Sequence, residues 1–325
     1  MATAYVKQQI SFGSAGSVIA GVLYRPTSSP EPLPAVILAH GFSGTMDWIV
    51  PDFAASFAEG GLAVLIFDYR DLGCSGGEPR QLIDTHRQVA DLRNAIRFLR
   101  SRPDIDTDRI ALWGTSLGGS HVLNVAATDP AIAAVVANVP ALDVFRVGDR
   151  YVPEHRRTGA VQTATATVHL LSAAVLDAVR GVLGLRPFYI AVYGKPGRAV
   201  FSDPALAGLF SDVERHAPTW CNRVTPRFLF TAPRYRKGTM ERVVPPVLVT
   251  VARDDDVIST PFVKRTAARA SRHEIREYPV RHFDMYHGAV RDQVAADQLA
   301  FLRRNLGCGA SAERLLALDE GTRRS

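Results

Sequence analysis

Short apolar runs recur along the chain, each bounded by glycine, proline or charged residues. Residues 35–39 (Ala-Val-Ile-Leu-Ala), 63–67 (Ala-Val-Leu-Ile-Phe), 109–113 (Arg-Ile-Ala-Leu-Trp), 133–139 and 247–251 (Val-Leu-Val-Thr-Val) are short and almost wholly hydrophobic. That is the signature of strands buried on both faces. Between them, apolar residues at helical spacing predict helices over about 49–59, 82–100 (Val89, Leu92, Ile96 and Leu99 on one face), 117–127, 261–270 and 290–306. Residues 274–279 add a further strand. At the start, 5–12 and 17–25 read as two strands of an antiparallel edge hairpin joined at 13–16. Strand and helix alternate, which predicts an α/β fold with a mostly parallel central sheet and helices on both faces.

The alternation stops between 141 and 241. This stretch holds helical segments at 163–183 and 205–214 and the aromatics Phe188, Tyr189, Tyr193, Phe210, Trp220, Phe228, Phe230 and Tyr235. We read it as a mostly helical insertion over the carboxyl edge of the sheet, where α/β proteins place their sites. The core is then 1–140 and 242–310, followed by a short charged tail, 311–325.

Composition narrows the class. At 325 residues and 47% hydrophobic, the chain can bury a large core. A 22% charged fraction and a mean hydropathy of +0.02 describe an ordinary globular protein. The net charge of +6 comes from scattered arginines whose longest cluster is Arg-Tyr-Arg-Lys at 234–237, a solvated surface and not a nucleic-acid patch. Cys74, Cys221 and Cys308 are too widely separated for a disulfide framework or a zinc site and fit a reducing compartment. The first residues contain no apolar signal region, and no stretch approaches the eighteen or so apolar residues of a membrane span. A cytoplasmic location without a membrane partner is the expectation; a homo-oligomer is compatible with the sequence.

The chemistry concentrates at Gly114-Thr115-Ser116-Leu117-Gly118. Serine between a strand and a helix, with glycine two positions away on each side, is the form of a nucleophile elbow. The turn leaves no room for flanking Cβ atoms, and the helix that follows aims its free N–H groups at the same point. Gly73-Cys74-Ser75-Gly76-Gly77 fits the same pattern but lacks a strand before it and a helix after it, so Ser75 is assigned to a turn. A serine hydroxyl needs a base and a group to orient that base, in the chain order Ser, acid, His. The strand at 247–251 runs into Asp254, Asp255 and Asp256; Asp255 is the preferred acid, Asp256 next and Asp254 third. His282, nearer the end of the following strand than His287, is the preferred base. Two backbone donors must meet the oxyanion. Leu117 supplies one and the loop His40-Gly41-Phe42 the other, with the Phe42 N–H as donor and His40 as a brace for the loop.

Taken together, His40-Gly41-Phe42, Asp68-Tyr69-Arg70 with Gly73 and Ser75, the elbow, the 254–256 acids and His282-Phe283-Asp284 resemble the α/β-hydrolase superfamily in order and context. The resemblance covers about 18–140 and 245–306. The block from His40 to Gly77 is most similar to the dienelactone-hydrolase-like and peptidase-like bacterial branch, which includes hydrolases linked to polyketide pathways. It implies a Ser116–His282–Asp255 triad with no cofactor and no metal. Serine at the nucleophile position differs from the aspartate of dehalogenases and the cysteine of true dienelactone hydrolases. The expected activity is hydrolysis of a small-molecule ester, thioester or lactone, with Trp48 and the insertion's aromatics lining an acyl pocket. The rival readings are an acyltransferase or cyclase, a peptidase, or a binding protein on the same fold.

Overall fold

In a computed structural model of the chain, the described residues are 4–146, 148–153 and 160–308, side chains of 160–163 excepted. The tail expected over 311–325 lies outside them. Among the described residues the strands and α-helices are β1 (Tyr5–Ser14), β2 (Ser17–Pro26), β3 (Leu33–Ala39), α1 (Val50–Glu59), β4 (Ala63–Phe67), α2 (Thr85–Arg100), β5 (Ile105–Thr115), α3 (Leu117–Ala126), β6 (Ala134–Asn138), α4 (Ala160–Val182), β7 (Ala191–Tyr193), β8 (Ala199–Phe201), α5 (Ala207–His216), β9 (Val247–Ala252), α6 (Thr260–Ala267), β10 (His273–Tyr278) and α7 (Gly288–Asn305).

Eight strands form one sheet in the order β1-β2-β4-β3-β5-β6-β9-β10. β1 pairs antiparallel with β2, and β2 antiparallel with β4; the rest are parallel. The N-terminal hairpin is thus the edge that the sequence pattern predicts. Strands β3, β4, β6 and β9 are buried at every position, which is why they read as unbroken apolar runs. One core cluster packs Leu92, Leu99, Val122 and Val263 against one face of the sheet, and another packs Phe53, Phe57, Phe301 and Leu302 against the opposite face. Strands β3, β5, β6 and β9 all end on the same edge, which brings His40, Ser116 and the Asp254–Asp256 turn together.

The insertion departs from the sequence reading in two ways. Besides α4 and α5 it contains the parallel pair β7–β8 and several 3-10 turns, so it is less uniformly helical than its composition suggests. Strands of three residues are too short to leave a periodic signal. Second, residues 164–182 of α4 are long and apolar enough to cross a membrane by length and composition, contrary to the expectation that no stretch would be. Alanine and threonine dilute the hydrophobic residues there and hide the stretch by eye. The helix packs Ala174 and Asp177 inward and exposes Val168, Leu171, Val175 and Val179.

Candidate active site

Ser116 stands between β5 and α3 with φ +51° and ψ −115°, a backbone state that side-chain-bearing residues rarely hold. Its N–H donates to the Asn138 carbonyl (2.9 Å) and its own carbonyl accepts from Ala141 N–H (2.8 Å), so the turn is tied to β6 and the loop after it. The flanking glycines are required by close approach. A Cβ on Gly114 would stand 2.2 Å from the Gly118 carbonyl oxygen, and one on Gly118 would stand 2.1 Å from that of Ala39. Gly41 lies against the serine from the other side, its absent Cβ only 3.2 Å from the Ser116 Cβ.

Of the three aspartates after β9, Asp255 reaches the histidine. Its Oδ2 accepts from His282 Nδ1 at 2.8 Å, while Oδ1 accepts the N–H groups of Val257 (2.8 Å) and Ile258 (2.7 Å). Both oxygens are therefore held, and carboxylate and imidazole are buried together. With Nδ1–H donating to the carboxylate, Nε2 is left as the imidazole's basic nitrogen. Asp256 instead pairs with Arg281, and Asp254 lies near the surface beside Arg253. His287 sits at the start of α7, where burial lowers its pKa, and among the described residues no carboxylate bonds its ring. Ser75 donates to the Asp68 carbonyl (2.6 Å) and accepts Ala20 N–H (2.9 Å), pinning its loop to β2.

Ser116 and His282 line one narrow, partly open cavity of about 30 Å³, with His40, Gly41, Phe42, Trp48, Phe201, Phe283 and Tyr286 among its walls. Among the described residues, neither the Phe42 nor the Leu117 N–H donates a hydrogen bond within the protein. His40 donates through Nδ1 to the Gly41 carbonyl (3.0 Å), and burial lowers its pKa to about 4. It is a neutral ring buttressing the loop.

Three features went unseen in the sequence. None of the eight aromatics singled out in the insertion lines the cavity: Phe210 and Trp220 build the insertion's own core, and Phe230 is exposed. Phe201 is the insertion residue that closes it, ring to ring with Phe42 (6.2 Å) and Phe283 (5.5 Å). Nothing in the local sequence of β8 marks it. Behind the elbow lies a buried polar network. Tyr286 Oη and Thr115 Oγ1 are 2.8 Å apart, Asn138 Nδ2 donates to Thr115 Oγ1 (3.1 Å), and Thr250 Oγ1 donates to Asn138 Oδ1 (2.6 Å). Gln298 joins Asn138, Thr250 and the Trp113 indole to it. The spacing of Tyr286, one helical turn beyond His282, was the available signal. The third is Arg281, beside His282, paired with Asp203 and Asp256.

An eight-stranded, mostly parallel sheet, a serine on a strained strand-to-helix turn and a buried Asp–His pair on the same edge define an α/β hydrolase. The chain belongs to the Hydrolase_4 family (serine aminopeptidase, S33), whose model matches residues 30–293. It is similar to the quorum-quenching protein AidA of Acinetobacter baumannii (strain MDR-ZJ06), 33% identical over 297 residues covering 91% of this chain and 94% of that protein. It is also similar to the polyketide transferase ATR5 of Stachybotrys chlorohalonatus (strain IBT 40285), 30% identical over 84% of this chain and 89% of that one. The crystal structure of the α/β hydrolase GrgF from Penicillium sp. sh18 superimposes with a TM-score of 0.75 at 24% identity, covering 93% of this chain and 99% of that one, a likeness of fold.

Proposed function

We propose that the protein is a serine hydrolase that cleaves an ester, thioester or lactone through an acyl-enzyme. The observation that carries this reading is the His282–Asp255 hydrogen bond at 2.8 Å, buried on the cavity that Ser116 also faces. His282 Nε2 takes the Ser116 proton as Oγ attacks the acyl carbon, then returns it to the leaving group. Asp255 holds the imidazole in the required tautomer. The Phe42 and Leu117 N–H groups, with no partner of their own, receive the oxyanion. Water repeats the cycle to release the acid. The insertion acts as a cap, and Trp48 with Phe201 forms the acyl wall.

Among the described residues the cavity wall contains no carboxylate to receive the ammonium group of a peptide, which favours an uncharged acyl substrate over an aminopeptidase substrate. A second reading, transfer of the acyl group to an alcohol or amine, draws support from the relative named as a polyketide transferase.

The test is hydrolysis of p-nitrophenyl acetate, butyrate and octanoate and of an acyl thioester by wild type and Ser116→Ala, with fluorophosphonate labelling alongside. Turnover and labelling in the wild type, both lost in the variant, are expected. Activity surviving in Ser116→Ala overturns the mechanism. Acyl transfer to an added acceptor at the expense of free acid would select the second reading.

A further inference from the structure

A cavity of about 30 Å³ has room for a water or two and for no acyl ester, since ligand pockets run to several hundred Å³. A bulky acyl group is therefore seated beside Ser116 only if a wall gives way, and the wall supplied by the insertion is Phe201. Two residues beyond it, Asp203 is buried. Its Oδ1 accepts Ala205 N–H (3.0 Å), capping the 3-10 turn Pro204–Leu206, and its Oδ2 accepts from Arg281 Nη2 at 2.8 Å. The same Nη2 donates to Asp256 Oδ2. Arg281 immediately precedes His282, and Asp256 immediately follows Asp255. One guanidinium thus fastens the edge of the insertion to both loops that carry the Asp–His pair. Its main chain is held as well, with the Arg281 N–H donating to Asp284 Oδ2 at 2.9 Å.

The side chains of Asp203 and Asp256 are 0% and 2% exposed, against 29% for Arg281. Two carboxylates so far out of water need cationic partners, and Arg281 serves both at once. Arginine suits the position because a planar fork can serve two acids at once, whereas an ammonium acts as a point charge. The arrangement is costly to build and is not a surface ion pair of negligible effect.

We propose that Arg281 is a positioning residue that also sets specificity: its ion pair with Asp203 clamps the Phe201 segment over Ser116, so that the bulk of the acyl group accepted depends on parting that pair. The kinetic consequence rests on the serine-hydrolase reading above; the mechanical one does not. Asp203→Ser keeps a side chain able to cap Ala205 N–H but is too short to reach Arg281. It is compared with wild type by amide hydrogen exchange of a peptide spanning 199–206, and by the ratio of kcat/KM for p-nitrophenyl octanoate to that for the acetate.

Exchange is expected to be at least tenfold faster, with the ratio raised at least fivefold and the midpoint of the pH–rate profile unmoved, because His282 and Asp255 are untouched. Arg281→Lys should fall between variant and wild type. Phe201→Ala, which leaves the pair intact, should raise the ratio at wild-type exchange. It serves as the check if Asp203→Ser does not fold. Exchange within twofold of wild type overturns the clamp; faster exchange with an unchanged ratio on an active enzyme overturns the specificity role. A chain inactive on every ester, yet with faster exchange in Asp203→Ser, would remove the hydrolase reading and leave the clamp standing.

Discussion

The elbow is built on missing atoms. A methyl group on Gly118 would sit 2.1 Å from a backbone carbonyl that belongs to β3, at the centre of the sheet, so the strand cannot yield to it. Gly118→Ala is therefore expected to cost about 3 kcal/mol or more and to abolish fluorophosphonate labelling, read by urea denaturation and by probe. A change in the urea midpoint worth less than about 1 kcal/mol would contradict the packing argument. Tyr286 makes a finer case. Its hydroxyl joins the histidine loop to Thr115, the residue before the serine, while its ring packs beside His282 (6.0 Å). Tyr286→Phe removes one buried hydrogen bond and leaves Thr115 with Asn138. The expected loss is about 1 kcal/mol of stability, with kcat falling and KM unchanged. A rise in KM alone would assign the hydroxyl to substrate binding.

At the scale of elements, α4 is held to the rest of the insertion by a buried ion pair. Asp177, fully buried, accepts Phe188 N–H (2.9 Å) and pairs with Arg227 (3.0 Å). Gly181 lets the Arg227 guanidinium cross the helix where any side chain would collide. Asp177→Ala strands the Arg227 charge, and breaking such a buried pair costs about 3–5 kcal/mol. Because the loss is confined to the insertion, the expected result is rapid proteolytic cleavage near α4 with the core's unfolding midpoint nearly unchanged. By contrast, Leu171→Gln and Val175→Gln change positions half or more exposed and should move the midpoint by less than about 0.5 kcal/mol. Cleavage of Asp177→Ala no faster than that of these controls would show that α4 is held by its other contacts.

At the scale of the whole molecule, buried titratable groups oppose one another. Burial lowers the pKa of His40 to about 4 and of His121 to about 3, and raises those of Asp68 to about 7 and Asp71 to about 6. Each histidine contributes stability that is present above pH 6.5 and lost as pH falls toward its folded value. Each aspartate does the reverse: its burial penalty is full above the folded value and is relieved as pH falls toward 3.8. Between about pH 4.5 and 5.5 these four groups offset one another, two protons favouring the unfolded state and two the folded state. Asp68→Asn removes one of the four, and relative to wild type its stability should fall by about 1.4 kcal/mol for each pH unit lost in that window. Urea midpoints at pH 4.5, 5.0 and 5.5 test this, and equal slopes for variant and wild type would refute it.

Local chemistry was legible in the sequence because it leaves local marks. Continuous apolar runs follow from burial on both faces of a parallel sheet, and a tight turn demands glycine wherever a Cβ would strike backbone. The serine, the acid loop and the histidine could be listed in order because each follows a strand. Tertiary structure alone decided what lies between elements. Asp255 rather than Asp256 meets His282 because two turn amides aim its carboxylate, and no spacing rule distinguishes adjacent aspartates. Phe201, Arg281 and Asp203 matter through contacts spanning from about 80 to 160 positions of chain. Such contacts are settled by how the insertion folds back over the sheet, and sequence periodicity carries no record of that distance.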